Sequence, residues 1–168
     1  MAAVLPLSSS CRSRLQILLE KKVEQSSGTK NLLVLEDEAV ISGICDRVLS
    51  KEGFNVILAV DGRKAIKLLA ENKIDFCLLD IRTPGIDGLE LYKHIRRNFP
   101  HLALKVIFMT GDSLSRNIPE FVNDVGCQLL EKPFTTEELI TAVRNMQLGL
   151  ADLIPSRSSD NVGDSSSI

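Results

Sequence analysis

Three carboxylates, a hydroxyl and an amine each close an apolar run in this chain. Glu36 and Asp37 follow Leu32–Leu35, Asp80 follows Phe76–Leu79, Thr110 follows Val106–Met109, and Lys132 ends the run that starts at Leu129. If the four runs are buried strands of one parallel sheet, their polar ends meet in the crevice outside the carboxyl ends of the strands, where open α/β sheets bind ligands. Like-charged carboxylates about 4 Å apart repel by roughly 4 kcal/mol per pair at an effective dielectric near 20, so three of them call for a cation. Mg²⁺ fits best, because it takes oxygen ligands in near-octahedral geometry, keeps several waters and is held by one or two carboxylates plus phosphate. Lys132 is expected to add a second positive charge from the other side.

With that compensation Asp80 becomes a usable nucleophile toward phosphorus, since carboxylates form aspartyl-phosphate intermediates. Transfer would then rest on positioning and electrostatics, with Mg²⁺, Lys132 and the Thr110 hydroxyl each taking one phosphoryl oxygen. Singly, each residue has a plainer explanation: an acid at a strand end caps a helix, threonine favours strands, and a terminal lysine is solvated. Their coincidence at four strand ends is what points to chemistry. His94 and His101 do not join the set and are assigned to the surface.

The elements that must position these residues alternate strictly from Asn31 onward, the pattern of parallel βαβ units. Strands are predicted at about 32–36, 54–59, 75–79, 105–110 and 128–131. Val40, Ile41, Ile44 and Val48 form the apolar stripe of the first helix, and Ala65, Leu68 and Leu69 that of the second. Asp87-Gly88 starts the third, with Leu89, Leu91, Tyr92 and Ile95 inward. Pro119 belongs in a first turn, which places the fourth helix from Asn117 or Ile118 to Gly126 and makes residues 111–117 a loop. The fifth begins at Thr135 or Thr136, with Leu139, Ile140, Val143 and Met146 recurring at helical spacing.

Residues 1–30 form an N-terminal extension or linker, with one short helix over Arg14–Val23 and a polar hinge over Ser26–Lys30. Residues 149–168 are expected to be a disordered tail, serine-rich and without period. The 168 residues suit one domain, and 44% hydrophobic with 25% charged residues is a globular composition. A net charge of −2 without a long Lys/Arg run argues against a nucleic-acid surface. Cys11, Cys45, Cys77 and Cys127 stand far apart with no CxxC, as expected of free thiols in a reducing compartment. No stretch approaches the roughly 18 apolar residues of a membrane span, and the N-terminus makes a poor secretory signal. A cytoplasmic protein is expected, with neither nucleic-acid nor membrane partner.

Residues 31 to about 148 resemble the receiver domain of two-component response regulators. The matching stretches are Leu32–Glu38, Leu78–Gly88, Val106–Gly111 and Leu129–Phe134. The resemblance implies a flavodoxin-like (CheY-like) doubly wound five-stranded parallel sheet, order 2-1-3-4-5, with helices on both faces. It also implies that Asp80 accepts a phosphoryl group from a histidine kinase or histidine phosphotransfer protein. Asp37 would be the more direct Mg²⁺ ligand and Glu36 would act partly through water, with the Arg82 backbone carbonyl completing the metal shell. Thr110 and Lys132 would meet the phosphoryl oxygens, and Lys132-Pro133 would be a cis peptide. Two departures stand out: Leu129 occupies the place where the family commonly has an aromatic ring that turns inward on activation, and Gly126 to Lys132 is one residue shorter than the family's GAxxYLxKP pattern.

The expected function is a phosphorylatable signalling module rather than an enzyme, catalysing only its own phosphorylation and dephosphorylation. Only about 20 residues follow the fifth helix, so output by contact with another protein is expected, and a homodimer is left open. One alternative is the terminal receiver of a hybrid sensor kinase, because Met1–Leu7 faintly resembles the closing strand of a kinase ATP-binding domain. The other is a small-molecule phosphatase, disfavoured because Arg82 stands where an acid/base carboxylate would be needed.

Overall fold

A computed structural model describes residues 28–111 and 117–149. Strands β1 (Lys30–Leu35), β2 (Phe54–Ala59), β3 (Phe76–Asp80), β4 (Val106–Thr110) and β5 (Gln128–Glu131) alternate with helices α1 (Ala39–Lys51), α2 (Gly62–Glu71), α3 (Gly88–Asn98), α4 (Asn117–Asp124) and α5 (Thr136–Leu148). A 3-10 turn over Pro100–Leu102, not anticipated from the sequence, joins α3 to β4. All strand pairs are parallel and the order is β2-β1-β3-β4-β5, as predicted. The expected Arg14–Val23 helix, Ser26 and Ser27 of the hinge, residues 112–116 of the 111–117 loop and residues 150–168 of the tail lie outside the described residues, while Gly149 caps the end of α5. Lys30 itself opens β1.

The inner strands are covered on both faces, which is why they read as unbroken apolar runs rather than as alternations. Leu33, Leu35, Cys77, Leu79 and Phe108 point to one side, against Ala65 and Leu69 of α2, Leu91, Tyr92 and Ile95 of α3, and Ile118 and Val122 of α4. Their neighbours Leu32, Val34, Leu78, Ile107 and Met109 point to the other, against Cys45 and Leu49 of α1 and Leu139, Ala142, Val143 and Met146 of α5. Cys45, Cys77 and Cys127 are unpaired thiols. Burial pushes Cys45 and Cys77 up to about 12, which keeps both protonated at neutral pH.

The stripe expected on α1 is only half right. Ile41 and Val48 pack on the core, but Val40 is 75% exposed and Ile44 42%, while Cys45 and Leu49 are fully buried. Apolar residues at 40, 41, 44, 45, 48 and 49 fit two overlapping stripes one position apart, and period alone does not choose between them. The sheet takes the later one. Ile44 instead lines an open groove with Val48, Arg47 and Lys51 of α1 and Thr136 and Ile140 of α5.

Helix starts follow the sequence closely. The Asp87 side chain accepts from the Glu90 N–H at 2.8 Å and the Asp61 side chain from the Lys64 N–H at 2.8 Å, capping α3 and α2. Thr135 and Glu138 form a reciprocal capping box on α5. At the opposite end of the sheet, Asp75 accepts from the Asn31 N–H at 3.0 Å, the Asn31 amide donates to the Lys73 carbonyl at 2.6 Å, and Asn55 donates to the Asn31 amide oxygen at 2.8 Å.

Candidate functional site

The ladder continues one bond past the strands at the carboxyl end of the sheet. Glu36 N–H donates to the Ala59 carbonyl at 3.0 Å, Ile81 N–H to the Met109 carbonyl at 2.9 Å and Lys132 N–H to the Thr110 carbonyl at 2.7 Å. These bonds tie the chain at Glu36, Asp80, Thr110 and Lys132 to neighbouring strands, so side chains from distant parts of the sequence converge in fixed positions.

Glu36 is 1% exposed, Asp80 4% and Thr110 fully buried, whereas Asp37 is exposed. One carboxylate oxygen from each of Glu36, Asp37 and Asp80 lies within 4.8 Å of the others. Both adjacent acids reach the cluster, but on different terms. Glu36 is spoken for twice: Oε2 accepts from Lys132 Nζ at 2.6 Å and Oε1 from the Glu38 N–H at 3.2 Å. Asp37 projects from the start of the following loop, open to solvent.

Lys132, expected to add its charge from the other side, bridges two members of the cluster, donating to Asp80 Oδ2 at 2.7 Å as well as to Glu36. The other Asp80 oxygen, Oδ1, accepts from the Arg82 N–H at 3.0 Å. Burial alone would lower the Lys132 pKa, but the hydrogen bonds to Asp80 and Glu36 outweigh it and hold the ammonium above its ordinary range. Burial raises Glu36, against the opposing pull of Lys132 and of the Glu38 N–H. The Lys132-Pro133 peptide is cis.

Two close approaches, which residue chemistry alone did not reveal, shape the turn after Asp80. A Cβ on Gly88 would collide with the Asp80 carbonyl oxygen and stand 2.9 Å from its carbon. A Cβ on Gly62 would overlap the Ile86 carbonyl and come within 2.6 Å of that residue's Cβ. Only glycine lets the first turns of α3 and α2 press so closely on this segment. Thr83 is buried in it, its hydroxyl donating to the Ile86 carbonyl at 3.4 Å. The Arg82 side chain is exposed. His94 sits on α3 beside Asn98 and Phe99, outside the site.

The donor set is all oxygen and anionic, with one open carboxylate beside two buried ones, and it fits a hard divalent cation such as Mg²⁺. Glu36, Asp37 and Asp80 would hold it. No helix among the described residues is long and apolar enough to cross a membrane.

Residues 32–144 match the family of the response regulator receiver domain. A probable transcriptional regulator, ycf29, of Porphyra purpurea is 34% identical over 117 residues; the match covers 69% of this chain and 56% of that protein, so the chain spans little more than half of its relative's length. The signal receiver domain of an HD domain-containing protein from Pseudomonas fluorescens Pf-5 superposes with a TM-score of 0.66 at 25% identity, covering 73% of this chain and 98% of that one. A response regulator receiver domain protein from Clostridium thermocellum gives a TM-score of 0.63 at 26% identity over 71% of this chain and 94% of that one.

Proposed function

The chain belongs to the response regulator receiver domain family of two-component signalling, and on that premise we propose that Asp80 is its phosphoacceptor. The donor would be a phosphohistidine on a kinase or phosphotransfer protein. An Asp80 carboxylate oxygen attacks phosphorus, the new P–O bond forms as the P–N bond breaks, and the imidazole leaves with the electron pair and takes up a proton. The observation that carries this reading is Asp80 itself: nearly buried at a strand end, with one oxygen fixed by the Arg82 N–H and the other by Lys132.

Mg²⁺, when bound, supplies charge neutralisation for the carboxylates and the incoming phosphoryl group. The protein's own residues do the rest. Asp37, exposed and next to two buried acids, is the more direct metal ligand; Glu36, engaged by Lys132, contributes partly through water, and the Arg82 carbonyl completes the shell. Lys132 neutralises Asp80 before transfer and meets a phosphoryl oxygen after it, while the Thr110 hydroxyl takes another. The module acts on no substrate but its own phosphoryl group and signals through contact with another protein.

Incubation with acetyl phosphate and Mg²⁺ should label Asp80 alone, as a base-labile adduct located by peptide mass spectrometry. Asp80→Asn should abolish the label. Undiminished labelling of that variant would overturn the assignment, and steady release of phosphate from small esters would favour a phosphatase instead.

A further inference from the structure

Leu129 is the Cα partner of Phe108 on the neighbouring strand, and its partly buried side chain packs into the cluster beneath α4. The strand brings no ring to that place, but the helix crossing it does. Phe121 of α4 sets its ring 6.1 Å from that of Phe108 at 69°, and 6.0 Å from that of Tyr92 at 89°; Tyr92 and Phe108 are 5.2 Å apart at 69°. Three strand and helix elements, β4, α3 and α4, thus meet in one triangle of edge-to-face contacts. Phe108 and Tyr92 are fully buried, whereas Phe121 is half-buried and is the member with room to move.

The triangle is connected to the site through β4. Phe108 stands two residues before Thr110 on the same face of the strand, and the end of β4 is bonded on one side to the Asp80 turn and on the other to Lys132 through Ile81 N–H to Met109 O and Lys132 N–H to Thr110 O. Any displacement of the Asp80 turn, Thr110 or Lys132 reaches Phe108 through one strand. Tyr92 is held from behind, its hydroxyl donating to the Ala103 carbonyl at 3.1 Å with the Cys127 sulfur 3.6 Å away. Close-packed clusters answer displacement by switching between discrete packings rather than by yielding gradually.

We propose that Phe121 is the residue that carries occupancy of the Asp80 site to α4, by repacking its ring against Phe108 and Tyr92. This rests on Asp80 being the phosphoacceptor, and gives α4 the part that a ring on β5 would otherwise play.

The chain contains one tyrosine and no tryptophan, so its near-ultraviolet circular dichroism in the tyrosine band reports Tyr92 alone. The full chain is treated with beryllofluoride and Mg²⁺; bound fluorine resonances measure occupancy and the Tyr92 band measures the triangle. In the wild type both change, and NMR cross-peaks between the Phe121 and Tyr92 rings weaken on occupancy. In Phe121→Leu the fluorine resonances persist at wild-type affinity while the Tyr92 response is lost. A full Tyr92 response in that variant overturns the proposal, as does a wild type that binds beryllofluoride with Tyr92 and its ring cross-peaks unmoved. The cross-peaks need no substitution, so a poorly folding variant does not remove the test. Failure of the wild type to bind beryllofluoride at all would strike the phosphoacceptor reading itself, and the relay with it.

Discussion

The two ends of the sheet hold polar networks of opposite character. At the amino end, Asn31, Asn55, Asp75 and the Lys73 carbonyl satisfy one another through amide and backbone hydrogen bonds near solvent. At the carboxyl end, three carboxylates crowd within 4.8 Å, and Lys132 bridges the two that are buried. The first network is complete as it stands and fastens the sheet. The second keeps an excess of negative charge in a partly desolvated place, which a protein retains only where something else supplies positive charge or exploits the tension.

Removing the bridge should have the largest effect. Lys132→Ala strands Glu36 and Asp80 without their partner and should cost about 3–5 kcal/mol in urea unfolding at neutral pH. Asp80→Asn, which keeps an oxygen for the Arg82 N–H but removes a charge, should cost far less or stabilise. Similar losses in both would mean the carboxyl end is not electrostatically strained and would erase the contrast.

Mg²⁺ should relieve that strain. At a hundredfold excess over its Kd, wild-type stability should rise by about 2.7 kcal/mol, with most of the gain lost in Asp37→Ala and less in Glu36→Ala. Equal losses would remove the distinction between the open acid and the engaged one.

The strain in the metal-free protein has a pH signature. Because burial raises Glu36 above its ordinary value of 4.5, the folded chain keeps a proton there that the unfolded chain has released. The stability this confers is complete below the unfolded value and is lost as pH rises through the raised folded one. Glu36→Gln, measured in chelator, should flatten the stability curve just above pH 4.5; an unchanged slope would assign it to another group. At the amino end, Asn31→Ala should cost only about 1 kcal/mol and leave Mg²⁺ affinity and labelling untouched.

The sequence disclosed the carboxyl end better than any other part. Strands buried on both faces are unbroken apolar runs, so the polar residue that stops each run is conspicuous, and Glu36, Asp80, Thr110 and Lys132 stand out without any structure. Caps are equally local: Asp87 and the Thr135–Glu138 box are written in four consecutive residues. Relations across the chain were not legible. That Lys132 lies between Glu36 and Asp80 depends on the spacing of β1, β3 and β5, and the Tyr92–Phe108–Phe121 triangle on how two helices lean over one strand. The α1 face was missed because two stripes one residue apart share the same period. Nothing but the neighbouring sheet decides between them.

The segment from Asp80 to Gly88 has one more consequence, a mechanical one. It is wedged between two helix starts, with α3 pressed on the Asp80 carbonyl through Gly88 and α2 on Ile86 through Gly62, and is cross-braced within by Thr83 and Arg82. A strut so confined has little compliance. A load applied at Asp80 finds the path toward α2 and α3 stiff, and the softer route runs sideways into the end of β4. An alanine at Gly88 should therefore do more than destabilise the fold: by prying α3 off the strand it would introduce slack beneath Asp80, and a push there would be absorbed where it was applied.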